Sequence, residues 1–480
     1  MCYGLCAHTL GMRIALNMHL DHLSNADIPK SVQPRLSDSA AESWRPWGGR
    51  YFRLASAFLL LNVISALLFI QFVPRPVFDD PNYLPDVHRY ATQGVSVDTI
   101  RRHVSPPGPV GFIWMAVAVD VLRGNELRDA RLACVISWLV IGGVILLGGR
   151  YSHFPELWCA ALLFTLVLPH TLTATATLRA EGPAMAFALF GTLAWLESAS
   201  RPSVTPGLVF LGAIGGLSIG LAIDSRQYYL ALLAAVAAYA IYQWRERGFE
   251  MKSLWFANAI GSLAAASIPL LLLIFVWHGL ASPGMVSGAS YTKWVAKVGF
   301  NALRPIVAAF YIALYAFPAA FPAILEARFT QRWRAGLVAA VGGATTAYFF
   351  STLVQPGPIK TFVEFLGRTR AGEHIVLGII TAVAIYNSIC LGCLIREKWE
   401  MVRSCPPIVL ALLVLAFFVV EQIGIGGNLP FYEIYILEVA PFLGVVAFGL
   451  LPKLTGPRVS ALIFLSVISQ GLLWRYAFRA

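Results

Sequence analysis

Apolar runs of roughly 17 to 25 residues recur from Ala55 to the C-terminus of this 480-residue chain, separated by short polar turns. As helices they match the thickness of a bilayer's hydrocarbon. A segment inside lipid must satisfy its own backbone hydrogen bonds, and runs of this length do so as helices. Barrel strands would be only about ten residues long and alternating in character. Composition agrees, with 58% hydrophobic and 13% charged residues, against about 25% charged in a soluble domain. Mean hydropathy is +0.69. The expected fold is an all-α polytopic membrane protein.

The formal net charge of +11 reflects Lys and Arg in cytoplasmic turns, so no nucleic-acid partner is expected. Cys390 and Cys393 have redox or metal spacing, but they end an apolar helix without a second pair and read as packing residues. Residues 1–50 form a polar tail without a cleavable signal pattern, and Met12 and Met18 leave the start open. Arg45, Arg50 and Arg53 hold that tail in the cytoplasm. The expected organisation is a cytoplasmic tail over 1–50 and a transmembrane domain over 51–480, spanning a bacterial inner (plasma) membrane many times.

The first span, about 55–73, then runs outward and puts the loop 74–108 on the outer face. A short span at about 109–122 returns to the basic turn RGNELRDAR, and another at about 132–148 goes out again. Segment 150–180 holds Pro169 and a threonine run, and is expected to be re-entrant or broken with no net crossing. Alternation of the later spans gives about 13 transmembrane helices. Glu181 and Arg226 then share the outer face with Asp79 and Asp80.

That first loop, PRPVFDDPNYLPDVHRYATQGVSVDTIRRHVSPPGP, carries Asp79, Asp80, Asp86, His88, Arg89, Arg101, Arg102 and His103. Two adjacent carboxylates at the mouth of a bundle repel each other, and persist where a cation, a proton or a substrate hydroxyl uses them. Asn at position 79 or 80 is expected to leave folding intact, since an outer-loop carboxylate supports little core. Asp86 is expected to matter less. Glu433 reads as a helix-start carboxylate complementing the helix dipole.

DDPNYLPDVHRYATQG resembles the signature loop of the GT-C superfamily of polyprenyl-phosphate-sugar-dependent membrane glycosyltransferases. LRAEGPAMAFALFG is similar to the second acidic motif of that group, and EIYILEVAPFLGVVAFG to the Tyr-then-Pro helix of its protein O-mannosyltransferase-like members. The order of Asp79-Asp80, Ser105-Pro106-Pro107-Gly108 and Arg226-Gln227 resembles the dolichyl-phosphate-glucose glucosyltransferases. The resemblance implies transfer of a hexosyl or pentosyl group from a polyprenyl-phosphate-linked donor to a lipid, glycan or protein acceptor. Asp79 would be the general base and Asp80 its orienting or cation-binding neighbour. Arg226 with Gln227 would hold the phosphate, and Glu181, Arg179, His88, Arg89 and Tyr435 would bind substrate. A divalent metal ion is a candidate cofactor, with Asp80 and Glu181 as candidate ligands. No nucleotide cofactor is expected, because no Gly-rich phosphate loop follows a strand.

Two other classes compete. A polytopic transporter or flippase would place charge or helix breaks near mid-membrane, in matched halves. An O-antigen-type polymerase or ligase for lipid-linked sugars would concentrate Arg and His in a large late outer loop.

Overall fold

The computed structural model describes residues 49–152, 154–200, 205–246, 249–279, 281–284, 301–326, 332–349, 358–424, 431, 433–452 and 454–479. The expected tail and Lys293 and Lys297 of an expected outer loop lie outside these residues, Gly49 and Arg50 excepted. Every regular element among the described residues is a helix. Among the described residues eight helices are long and apolar enough to cross a membrane, or nine if the bent pair Pro155–Val167 and Pro169–Ala176 counts as one. The expected thirteen crossings are not reached by that measure. The protein is a polytopic helical membrane protein.

Contacts across the chain assign residues to the two ends of the bundle. At one end, Glu156 accepts the backbone N–H groups of Gly49 (3.0 Å) and Tyr51 (3.2 Å), and Tyr51 donates its hydroxyl to the Pro452 carbonyl at 2.8 Å. These bonds cap the start of the helix Arg50–Phe72, whose 23 residues extend about 34 Å. Beyond its other end, Arg131 donates to Asp80 at 2.6 Å and Leu178 N–H donates to Asp80 at 2.7 Å. His88 meets Glu126 at 3.1 Å, and Gly108 N–H donates to the Ser225 carbonyl at 3.1 Å.

Two expectations about crossings are corrected by these contacts. Helix Pro109–Leu122 is not a span: residues 108 and 126 at its two sides both lie at the acidic-loop end. It packs instead on helix Asp80–Gln93, with Tyr83 edge-on to Phe112. The basic turn 123–131, expected at the cytoplasmic side, is therefore beside the acidic loop, and its Arg131 is buried in an ion pair. Conversely, residues 155–176 do cross. Glu156 is at one end and Leu178 at the other. The two departures offset each other, which is why Glu181 still shares an end with Asp80.

The crossing is bent by 78° at Leu168, because Pro169 lacks the N–H that would continue the ladder. The freed carbonyls are met by side chains, as a break in lipid requires. Asn62 donates to the Leu166 carbonyl at 2.8 Å, Thr171 to that of Thr165, and Ser469 to those of Leu168 and Pro169 at 3.3 Å each. Asn62→Leu should therefore cost about 1–3 kcal/mol by orphaning the Leu166 carbonyl. Thermal unfolding in detergent checks this against Ser56→Ala on the same helix, which loses only a local bond to Phe52 and should change little.

Helix Ile436–Leu450 is buried along its entire length and forms the axis of the bundle. Its last carbonyls receive Arg458, which donates to Ala447 at 3.2 Å and to Leu451, and Lys398, which donates to Leu450 at 2.5 Å. Cations there also complement the negative end of the helix dipole. Its first turn, at the acidic-loop end, carries Glu438.

Candidate active site

The acidic loop begins with a left-handed residue, Phe78 (φ 55°), which turns the chain so that Asp80 opens helix Asp80–Gln93 with Pro81 behind it. Adjacent residues at a helix start point about 100° apart, and the pair separates accordingly. Asp80 is fully buried. One oxygen accepts from Leu178 N–H, the other from Arg131 and from Val77 N–H at 2.9 Å. Arg131 also donates to the carbonyls of Val73 (2.5 Å) and Arg75 (2.8 Å). Asp80 thus ties the loop to helix Glu126–Leu146 and to the connection leading into Glu181, contrary to the expectation that it supports little core. Asp79 keeps 37% of its side chain exposed and pairs with the half-buried Arg179 at 2.5 Å.

Asp86 is also buried. It accepts from Arg89, from Ser105 N–H at 2.8 Å and from Val104 N–H at 3.2 Å. It organises the second half of the loop. Arg89 is consumed there, bonding Asp86 and the Arg102 carbonyl. His88, 60% exposed, lies on the rim against Glu126. Neither joins the cluster described next.

His103 is buried between Tyr90 and Phe112. Its Nε2 lies 2.7 Å from the Pro107 carbonyl, so that nitrogen carries the proton, and Nδ1 accepts the Tyr90 hydroxyl at 3.2 Å. Burial pushes the imidazole below its usual range, against the opposing pull of Asp86. The unfolded chain, with a His pKa of about 6.5, then binds more protons than the folded one as the medium acidifies. Stability from this group is complete above about pH 7 and falls as pH drops through about 6.5. Thermal unfolding at pH 8 and pH 5.5 should show this fall, and His103→Asn should flatten it.

A second cluster sits deeper. Helix Glu181–Ser200 opens with Glu181, and Arg226 ends helix Pro206–Ser225. Arg226 donates to Glu181 and lies 3.1 Å from Glu438 with its Nε–H not aimed at that oxygen. Tyr435 lies under Arg226, 5.9 Å from ring centre to guanidinium. Tyr83, buried between loop and cluster, interacts with Asp79, Arg179, Glu181 and Arg226 together. The structure thus gathers Asp79, Arg179, Glu181, Arg226 and Tyr435. Gln227 instead docks the loop, donating to the Pro106 carbonyl at 3.0 Å. Gly108 is required beside it, since a Cβ there would sit 1.8 Å from the Asp224 carbonyl oxygen.

Two charged residues escaped the sequence reading. Glu438 is an ionisable group inside an apolar span, by itself a mark of function. Arg304 opens helix Leu303–Glu326 and is buried. One of its nitrogens reaches Gln422 at 3.0 Å and the Tyr228 hydroxyl at 3.5 Å. Its Nε and Nη1 have no acceptor among the described residues. Glu433 differs from expectation: it is fully buried, accepts Tyr315 at 2.8 Å and Ile359 N–H at 3.1 Å, and so caps helix Pro358–Gly367 rather than its own.

The candidate metal ligands do not fit a divalent ion. Both oxygens of Asp80 are taken by donors, and Glu181 shares its place with the Arg226 guanidinium. Among the described residues no three His, Cys, Asp or Glu groups converge as ligands.

No protein-family model matches the chain, and no curated protein matches it. Among solved structures, it is similar to ArnT from Cupriavidus metallidurans bound to undecaprenyl phosphate, at 15% identity, covering 86% of this chain and 77% of that one with a TM-score of 0.40. The apo state of the same protein is similar at 16% identity, 88% and 78% coverage and a TM-score of 0.38.

Proposed function

We propose that the protein is a membrane glycosyltransferase of the GT-C type that moves a sugar from a polyprenyl-phosphate donor to a lipid, glycan or protein acceptor on the outer face. The observation that carries this reading is the juxtaposition at one bundle end of a half-open carboxylate, Asp79, with the half-buried Arg179 and the buried Arg226 and Arg304. Each of the three has an N–H without an acceptor among the described residues, but Arg304 has two such nitrogens, whereas Arg226 is held by Glu181 and Glu438 and Arg179 by Asp79. Arg304 is therefore the phosphate-holding residue of the reading, with Tyr228 and Gln422 fixing it.

In the step proposed, Asp79 takes the proton of the acceptor hydroxyl as its oxygen bonds to the anomeric carbon. The bond from that carbon to the phosphate oxygen breaks, and polyprenyl phosphate leaves with the electron pair, its charge met by guanidinium. No metal enters this step. Incubation of the purified protein with polyprenyl-phosphate sugars and with nucleotide sugars tests the reading. Release of polyprenyl phosphate is expected, and release of nucleotide from nucleotide sugars alone would refute it.

A further inference from the structure

The centre of the bundle end holds more unmet hydrogen-bonding capacity than a dry core tolerates. Both oxygens of Glu438 and the outer oxygen of Glu181 accept no hydrogen bond among the described residues, and the Tyr229 hydroxyl has no partner. Glu438 and Glu181 are each about 1% exposed and Tyr229 2%, so solvent does not serve them. The three are close enough for Tyr229 to interact with both carboxylates and with Arg226. Two carboxylates around a single guanidinium leave acceptors in excess, and Arg226 is spent between them. Such a set lacks donors. A phosphate would be repelled by it, and an apolar chain would leave it unmet. Vicinal hydroxyls, which donate to a carboxylate and accept from a phenol, fit it.

We infer that Glu438, Glu181 and Tyr229 form a hydroxyl-binding subsite that takes the sugar of the lipid-phosphate donor. This rests on the glycosyltransferase reading and deepens it. The sugar is the donor's because the anion and hydroxyl subsites are neighbours on one turn. Tyr228 reaches Arg304, the next residue Tyr229 follows it on the same turn, and Arg226 reaches Glu438. The rings of Tyr228 and Tyr435, 4.5 Å apart, and Arg226 over Tyr435 link the two. A phosphate at Arg304 would place its attached sugar against Glu438. Within the subsite Glu438 binds and orients. It forms no bond to the sugar.

The test is equilibrium binding of two probes to the full-length protein in detergent: undecaprenyl phosphate alone, and undecaprenyl phosphate carrying a hexose or a pentose. The wild type should bind one of the sugar-bearing lipids more tightly. Glu438→Gln and Tyr229→Phe should each weaken that lipid about 10- to 100-fold and change the sugar-free lipid less than about twofold. Tyr229→Phe removes one oxygen, so it keeps the test decisive if Glu438→Gln folds poorly. Arg304→Gln should weaken both lipids alike. Equal loss of both lipids in the Glu438 and Tyr229 variants, no loss in either, or a wild type indifferent to the sugar overturns the subsite and leaves the anion site standing. A wild type that binds no lipid phosphate overturns the glycosyltransferase reading itself.

Discussion

Arg131→Met should lower stability by about 3–5 kcal/mol, the usual consequence of leaving one member of a buried ion pair alone. The Asp80 carboxylate would keep only the N–H groups of Val77 and Leu178, in a site fully shielded from water. The carbonyls of Val73 and Arg75 would lose their donor as well. Because Asp80 joins the first loop, the helix Glu126–Leu146 and the strand of chain entering Glu181, the damage should reach all three. Asp80→Asn combined with Arg131→Met should recover part of the loss, since no charge is left buried, although the amide oxygen keeps only one of the two N–H groups that bond separate carboxylate oxygens. Chemical or thermal unfolding of the single and double variants in detergent gives the coupling directly. An additive double variant would show that the two residues do not act as a pair.

Asp79→Asn should behave in the opposite way, losing activity and keeping the fold. The amide keeps the shape of the carboxylate but accepts no proton, so transfer should fall by about 10²–10⁴-fold. Asp79 is partly exposed, and its pair with Arg179 is of the kind worth about 0–1 kcal/mol. Asp98→Asn is the control, since Asp98 lies on the exposed side of the loop and meets only Arg102. Initial rates of sugar transfer, with unfolding followed in parallel, separate the outcomes. Full activity in Asp79→Asn would end its role as base.

Much of this arrangement was legible before any coordinates, and the gaps have physical causes. Apolar runs of membrane length identify the class because lipid leaves helices few alternatives. The loop ends and Glu181 came out together because ionisable groups cannot easily lie in hydrocarbon. Helix Pro109–Leu122 read as a span because hydropathy measures what a segment can tolerate, and this one satisfies it while packing on the loop instead. The crossing at 155–176 was hidden by Pro169, whose broken ladder is repaired by Asn62 and Ser469 from distant helices. No local pattern announces such a repair. Likewise Asp79 and Asp80 are equivalent as letters, and only the helix start separates an open carboxylate from a buried one. Glu438 could have been found from its apolar setting, whereas Arg304 could not, since its free N–H groups depend on what surrounds it.

A glycosyltransferase of the proposed kind breaks a sugar–phosphate bond at this bundle end rather than conducting a lipid-linked sugar through the membrane. Proteoliposomes holding the protein, a labelled polyprenyl-phosphate sugar and candidate lipid and glycan acceptors test it most directly. Label is expected to leave the polyprenyl phosphate and appear on an acceptor, and Asp79→Asn to abolish this. Label that changes leaflet while still joined to polyprenyl phosphate, equally in wild type and Asp79→Asn, would contradict it.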